Sequence, residues 1–204
     1  AIEQSSNKSE ACYQAAKTVY SYVISLNGKE GYAAWTLDRA LEIIRKGIQL
    51  DEQPLYVQLE GDILFAQRNY TEAFVSYEKV NNSDIASSAT FYSAAKTKHL
   101  IEGSDINEVL ALMDAAIERL KKPYLSDSAP YLYERAELRA QAGKFREAVM
   151  DYNEFQKALS TELSAIFYFK REQAEVQCRM YQQALDDINM AVELAPEDID
   201  FIVE

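Results

Sequence analysis

The chain contains one histidine, His99, and two cysteines, Cys12 and Cys178. Hydrolysis through a Ser or Cys nucleophile needs a base within hydrogen-bond reach, and His99 is the one imidazole able to serve. Tetrahedral metal sites usually gather several His or Cys ligands, which one histidine and two distant cysteines do not supply. The cysteines form no CxxC motif; two buried free thiols are the favoured reading, with a disulfide left open. The acid pairs Asp186–Asp187 and Glu197–Asp198 have the chemistry of glycosidase carboxylates or a cation site. Neighbouring residues diverge around a helix, however, so both pairs read as solvated faces. No DxDxDG calcium loop, GxGxxG or Walker loop is present. Three N-x-S/T triplets begin at Asn7, Asn69 and Asn81, a motif short enough to arise by chance. The expectation is a non-enzyme with no cofactor and no metal.

With 21 basic against 33 acidic residues and a net charge of −12, the chain is poorly suited to nucleic acid, whose phosphates ask for Lys and Arg. No apolar run approaches the roughly 20 residues of a membrane span. The sequence opens at Ala1 without Met or a signal-peptide pattern, and reads as a processed or excised product.

These side chains must be held by some scaffold, and the sequence writes it as a repeat. "NYTEAFVSYEKV" (69–80), "KFREAVMDYNEF" (144–155) and "MYQQALDDINMA" (180–191) align on Tyr70, Phe145 and Tyr181. Ala73, Ala148 and Ala184 follow three places on. Next come Tyr77, Tyr152 and Ile188, then Val80, Phe155 and Ala191. Offsets of 0, 3, 7 and 10 make one stripe of a 3.6-residue helix. Asn69 with Glu72 reads as a helix N-cap. Each phrase follows a second amphipathic segment: 54–67, with Gly61 in its middle, then 130–143 and 165–178. Looser copies put Ala40, Ile44, Gly47 and Leu50 on one stripe, and Val109, Met113 and Ala116 on another. The mid-stripe residues 40, 73, 109, 148 and 184 lie 33, 36, 39 and 36 apart, a solenoid-type period. Helix, tight turn, helix is the unit, and units of this kind bury their stripes only by stacking.

The pattern resembles the tetratricopeptide repeat (TPR), as found in bacterial repeat proteins. Gly61, Tyr70, Ala73 and Tyr77 keep the family spacing, as do Ala136, Gly143, Phe145, Ala148 and Tyr152. Tyr168, Tyr181, Ala184, Ala191, Leu194 and Pro196 do so again, although Glu172 replaces the usual small residue. The third copy carries a two-residue insertion in its turn. The resemblance implies an all-α, right-handed α-solenoid of about five helix-turn-helix units: 10–52, 54–87, 88–123, 129–162 and 165–198, one domain over 1–204. Residues 199–204 begin a sixth pair with Ile199, Phe201 and Ile202, so the natural chain is expected to continue.

For function, the resemblance implies a scaffold or adaptor binding a protein or peptide partner in a groove lined by the first helix of each pair. Carried over residue by residue, that groove comprises Gln58, Asp62 and Phe65; Tyr92, Lys96 and His99; Tyr133 and Glu137; Phe169 and Gln173; and, in the degenerate first unit, Tyr13, Lys17 and Tyr20. Rings supply contact area while amides and charges set register. The family's best-known ligand, an acidic C-terminal peptide, is gripped by Lys and Asn. Gln58 and Asp62 stand at such positions here and do not suit it. The alternative is a regulatory segment packing against a domain of a longer chain; an enzyme using Glu137 or Asp62 ranks last. Likeness to exported bacterial repeat proteins implies a periplasmic setting, with the cytoplasm as the alternative.

Overall fold

The computed structural model describes residues 2–29, 31, 34–120, 125–159 and 161–197. Ten α-helices stand in this part of the chain: α1 (Ile2–Ser25), α2 (Leu37–Leu50), α3 (Pro54–Ala66), α4 (Tyr70–Asn81), α5 (Ser88–His99), α6 (Ile106–Glu118), α7 (Leu125–Gln141), α8 (Phe145–Ala158), α9 (Ala165–Gln177) and α10 (Tyr181–Leu194). The fold is an all-α helical repeat, organised as two compact units, Ala1–Ser104 and Asp105–Glu204.

In the first unit α1 packs on α2 and α3, α3 on α4, and α4 on α5. Its core gathers Tyr13, Ala16, Ala40, Ile44, Tyr56 and Ile63. Glycine permits the closest approaches. A Cβ on Gly61 would lie 3.0 Å from the Tyr77 ring, and one on Gly47 equally close to Cys12 Cβ. In the second unit α6 to α10 pack in chain order around Ala136, Ala148, Tyr152, Phe167 and Ala174. Burying side chains such as Tyr152 and Phe167 contributes on the order of 1.5–3 kcal/mol each.

The expected stripes are buried at Ala73, Tyr77, Val80, Val109, Met113, Ala116, Ala148, Tyr152, Ala184 and Ala191. Tyr70 and Phe145 are half-buried. Tyr181 and Leu50 depart from the expectation, at 64 % and 46 % exposed.

The turns within the second, fourth and fifth pairs are built alike. Arg68, Gly143 and Arg179 take φ of 65°, 72° and 60°. The following amides, of Asn69, Lys144 and Met180, donate back to the carbonyls of Leu64, Arg139 and Glu175 at 2.8–2.9 Å. This is the Schellman closure of a helix C-terminus. It corrects the reading of Asn69 as a side-chain cap. With φ −83° and ψ 64° no such bond forms; only its carbonyl serves α4, accepting from Ala73 N at 3.0 Å. Side-chain caps occur at Thr36, Ser87, Asp105 and Ser164 instead. The α5–α6 turn is longer, in keeping with the insertion. Helix α7 begins at Leu125 with Pro130 inside it, five residues before the segment 130–143 read from the sequence. Ile199, Phe201 and Ile202, with the rest of the sixth pair, lie outside the described residues.

Candidate functional site

Two depressions lie along α7, one bounded by α8 and the α8–α9 turn and the other by α8 and α9. One, of about 490 Å³, is bordered by Pro130, Tyr133, Glu134, Phe155 and Leu163. The other, of about 310 Å³, has Ala140, Phe145, Tyr152 and Ala174 among its lining, with Glu137, Gln141, Lys170, Gln173 and Gln177 as its polar part. From Pro130 to Gln141 an α-helix rises roughly 16 Å, the length of about five extended residues.

The polar part is organised from the core outward. Tyr152, fully buried, donates its hydroxyl to Glu137 Oε1, whose Oε2 lies 3.5 Å from Lys170 Nζ. Burial, then the charge of Glu137, raises the Tyr133 phenol above its ordinary range. The Tyr133 ring packs 5.1 Å from Phe155 and 5.9 Å from Tyr152. It therefore serves the core on one side and borders a depression on the other.

The first unit repeats this construction at the equivalent residues. Tyr77 donates to Asp62 Oδ1 at 2.7 Å. Burial raises the Asp62 carboxyl, and the Tyr77 bond partly opposes that rise. Tyr20 is half-buried, its phenol raised by burial and by Asp62. Gln58 is half-buried on α3, and Phe65 packs edge-on to Tyr70 at 5.6 Å. Lys96 Nζ stands 5.3 Å from the Tyr92 ring, while His99 is exposed at the end of α5. Tyr13 is core rather than groove, stacked on Tyr56 of α3 at 5.0 Å. Lys17 is exposed.

Of the groove positions carried over from the resemblance, Glu137 and Gln173 share the smaller depression and Tyr133 borders the larger. Phe169 is half-buried and lines neither. Lys170, Gln141 and Gln177 escaped the sequence reading. The two glutamines lie one helical turn beyond Glu137 and Gln173, so extending the stripe by four residues would have found them.

A second polar system, also missed, runs between the helices. Arg135 on α7 grips Asp151 on α8 through Nε and Nη2 at 2.8 and 2.7 Å and reaches Asp114 on α6 at 2.8 Å. Arg139 adds a 2.7 Å bond to Asp151. Thirty-six residues on, Arg171 grips Asp187 at 2.6 and 2.8 Å. Its Nη1 donates to Asn153 and Gln156 of α8. In the first unit the matching positions hold Arg45, Glu60 and Ser76, joined at 2.8 and 3.2 Å. Asp187 is therefore no solvated acid but 6 % exposed. Its neighbour Asp186 does face solvent. Cys12 and Cys178 are free thiols, each half-buried. Among the described residues no group of three or more His, Cys, Asp or Glu could hold a metal ion, and no helix is long and apolar enough to cross a membrane.

No family model matches the sequence, and no curated protein matches it either. Solved structures do match. YrrB, a TPR protein with an unusual peptide-binding site, superposes with a TM-score of 0.74 at 16 % identity, over 94 % of this chain and 88 % of its own. A tetratricopeptide repeat protein from Parabacteroides merdae gives 0.70 at 15 % identity, over 94 % and 70 %. MamA from Desulfovibrio magneticus gives 0.67 at 12 %, over 90 % and 96 %. At these identities the likeness is one of fold, and the fold of this chain is that of tetratricopeptide-repeat proteins.

Proposed function

We propose that this chain is a non-catalytic scaffold that holds an extended segment of a protein or peptide partner along α7 and α9. One observation carries the reading: the cleft joining Glu137, Lys170 and Gln173 combines an apolar lining with a mixed-charge, amide-rich polar part. Such a surface suits a short peptide, with apolar anchors in the depressions and amides meeting main-chain groups. YrrB, of the same fold, is a TPR protein with a peptide-binding site, which supports the class of ligand. Asp62 and Glu137 stand where an acidic peptide would need cations, and the net charge of −12 adds repulsion. Neutral or basic segments are therefore the expected ligands.

The test is a panel of short peptides graded in charge, titrated calorimetrically into the wild type and a Lys170→Ala/Gln173→Ala variant. Binders should be neutral or basic and weaken about tenfold or more in the variant, as anchor contacts do. Equal affinity of both proteins for every binder would sink the proposal.

A further inference from the structure

We infer that the α9–α10 pair is a proton-sensitive joint, in which the buried carboxyl of Glu175 holds a proton when the helices are closed and strains their packing when it loses it. The surroundings of that carboxyl supply acids and a single, already committed cation. Glu175 is 3 % exposed. Its Oε2 is buried with no hydrogen-bond partner among the described residues, and its Oε1 is 4.0 Å from Arg171 Nε. That guanidinium is engaged elsewhere: Nε and Nη2 serve Asp187, and Nη1 serves Asn153 and Gln156. The rings of Phe167 and Tyr168 stand 5.0 and 5.8 Å from it. One cation is thus committed to Asp187, and a second buried carboxylate beside it has no donor of its own.

The groups whose charge reaches Glu175 are Arg171 and Glu172 on its own helix and Asp187 and Asp186 on α10. From α8 the groups meeting Arg171 are the neutral amides of Asn153 and Gln156. Three acids and one base leave a surplus of negative charge. The equivalent position on α7 shows the alternative: there Arg139 joins Arg135, and two cations meet the two anions Asp114 and Asp151.

Burial, followed by the charge of Asp187, pushes the Glu175 carboxyl from 4.5 up to about 7, with Arg171 opposing. Below pH 4.5 the group is protonated folded or unfolded and contributes nothing. Between 4.5 and 7 the unfolded chain ionises while the folded one stays neutral, so stability falls as pH rises. Above 7 the penalty is complete. The joint is firmest on the acid side of neutrality.

Amide hydrogen exchange at pH 5, 6, 7 and 8, corrected for intrinsic rates, tests this on the whole chain. Protection of α9 and α10 should fall about ten- to a hundredfold relative to α7 and α8, because the closed joint binds the Glu175 proton more tightly than the open one by at least that factor. Glu175→Gln should flatten that fall, and Glu175→Arg, which restores the residue type of α7, should raise protection at pH 8. The side-chain 13C resonance of Glu175 should titrate near neutrality in the wild type, a readout that needs no variant. A midpoint near 4.5, or the same pH dependence in Glu175→Gln, would overturn the inference.

Discussion

The pairs α7/α8 and α9/α10 share one register, yet they are filled differently at three levels. At the close crossing, α7 offers Ala136 where α8 brings the buried Tyr152, whereas α9 offers Glu172 where α10 brings the half-buried Ile188. In the polar network, Arg139 of one pair becomes Glu175 of the other. In the turn, the left-handed residue is Gly143 in one and Arg179 in the other. Stacking fixes the backbone of every repeat, while each interface adds its own stability term. A chain of one architecture can therefore hold segments that open at different free energies. Helix α9 of the second pair carries Lys170 and Gln173 of the proposed cleft.

The largest expected effect compares the two crossings. Tyr152 stands within 6 Å of Tyr133 and Phe167, centroid to centroid. Tyr152→Ala should cost about 3–5 kcal/mol, as buried aromatic truncations do. Ile188→Ala, from a half-buried site, should cost about 1–2 kcal/mol. Urea unfolding followed by circular dichroism measures both; equal losses would mean the two crossings pack alike.

The networks differ next. Asp151→Asn leaves Arg135 and Arg139 with Asp114, which is half exposed, and should cost about 3 kcal/mol as a broken buried pair. Asp187→Asn should cost less, about 1–2 kcal/mol, because Glu175 can ionise and take over Arg171. The same substitution removes the charge that most raises Glu175 after burial, so the Glu175 midpoint should drop. A midpoint that stays put would separate the two carboxyls.

The legible part of the sequence was the part stacking dictates. A small residue every 36 or so positions, with an aromatic four places on, located the buried stripes at Ala73–Tyr77 and Ala148–Tyr152. The charges were not legible, because a charged residue gives no sign of burial until its partner is known. Arg171 and Asp187 sit on different helices, so Asp187 read as one half of a solvated acid pair. The clue lay in the register, since Arg135 and Asp151 occupy the same two positions one repeat earlier. Asn69 misled for a related reason. Its type favours capping, but Lys144 and Met180, at equivalent positions, cannot cap, which points to a closure made by backbone alone. Within the cleft, Glu137 and Gln173 came from positions transferred by resemblance, and Lys170 lies outside that set.

The smallest expected effect concerns the turns and runs opposite ways in the two pairs. Gly143 has φ 72°, and a Cβ there would meet nothing within 4 Å. Gly143→Ala therefore adds no clash and exposes only the backbone cost of a side chain in the left-handed region, about 1 kcal/mol. Arg179 bears that cost already at φ 60°. Arg179→Gly should relieve it, less the entropy glycine adds to the unfolded chain, for a net gain of a few tenths to about 1 kcal/mol. For a chain of this size the melting midpoints should move roughly 2–4 °C at most, down in the first variant and up in the second. Arg68→Gly, at φ 65°, should follow Arg179→Gly. A loss of stability in Arg179→Gly would mean that the arginine side chain contributes more than its strained backbone costs, and the two turns would then differ in what they hold rather than in strain.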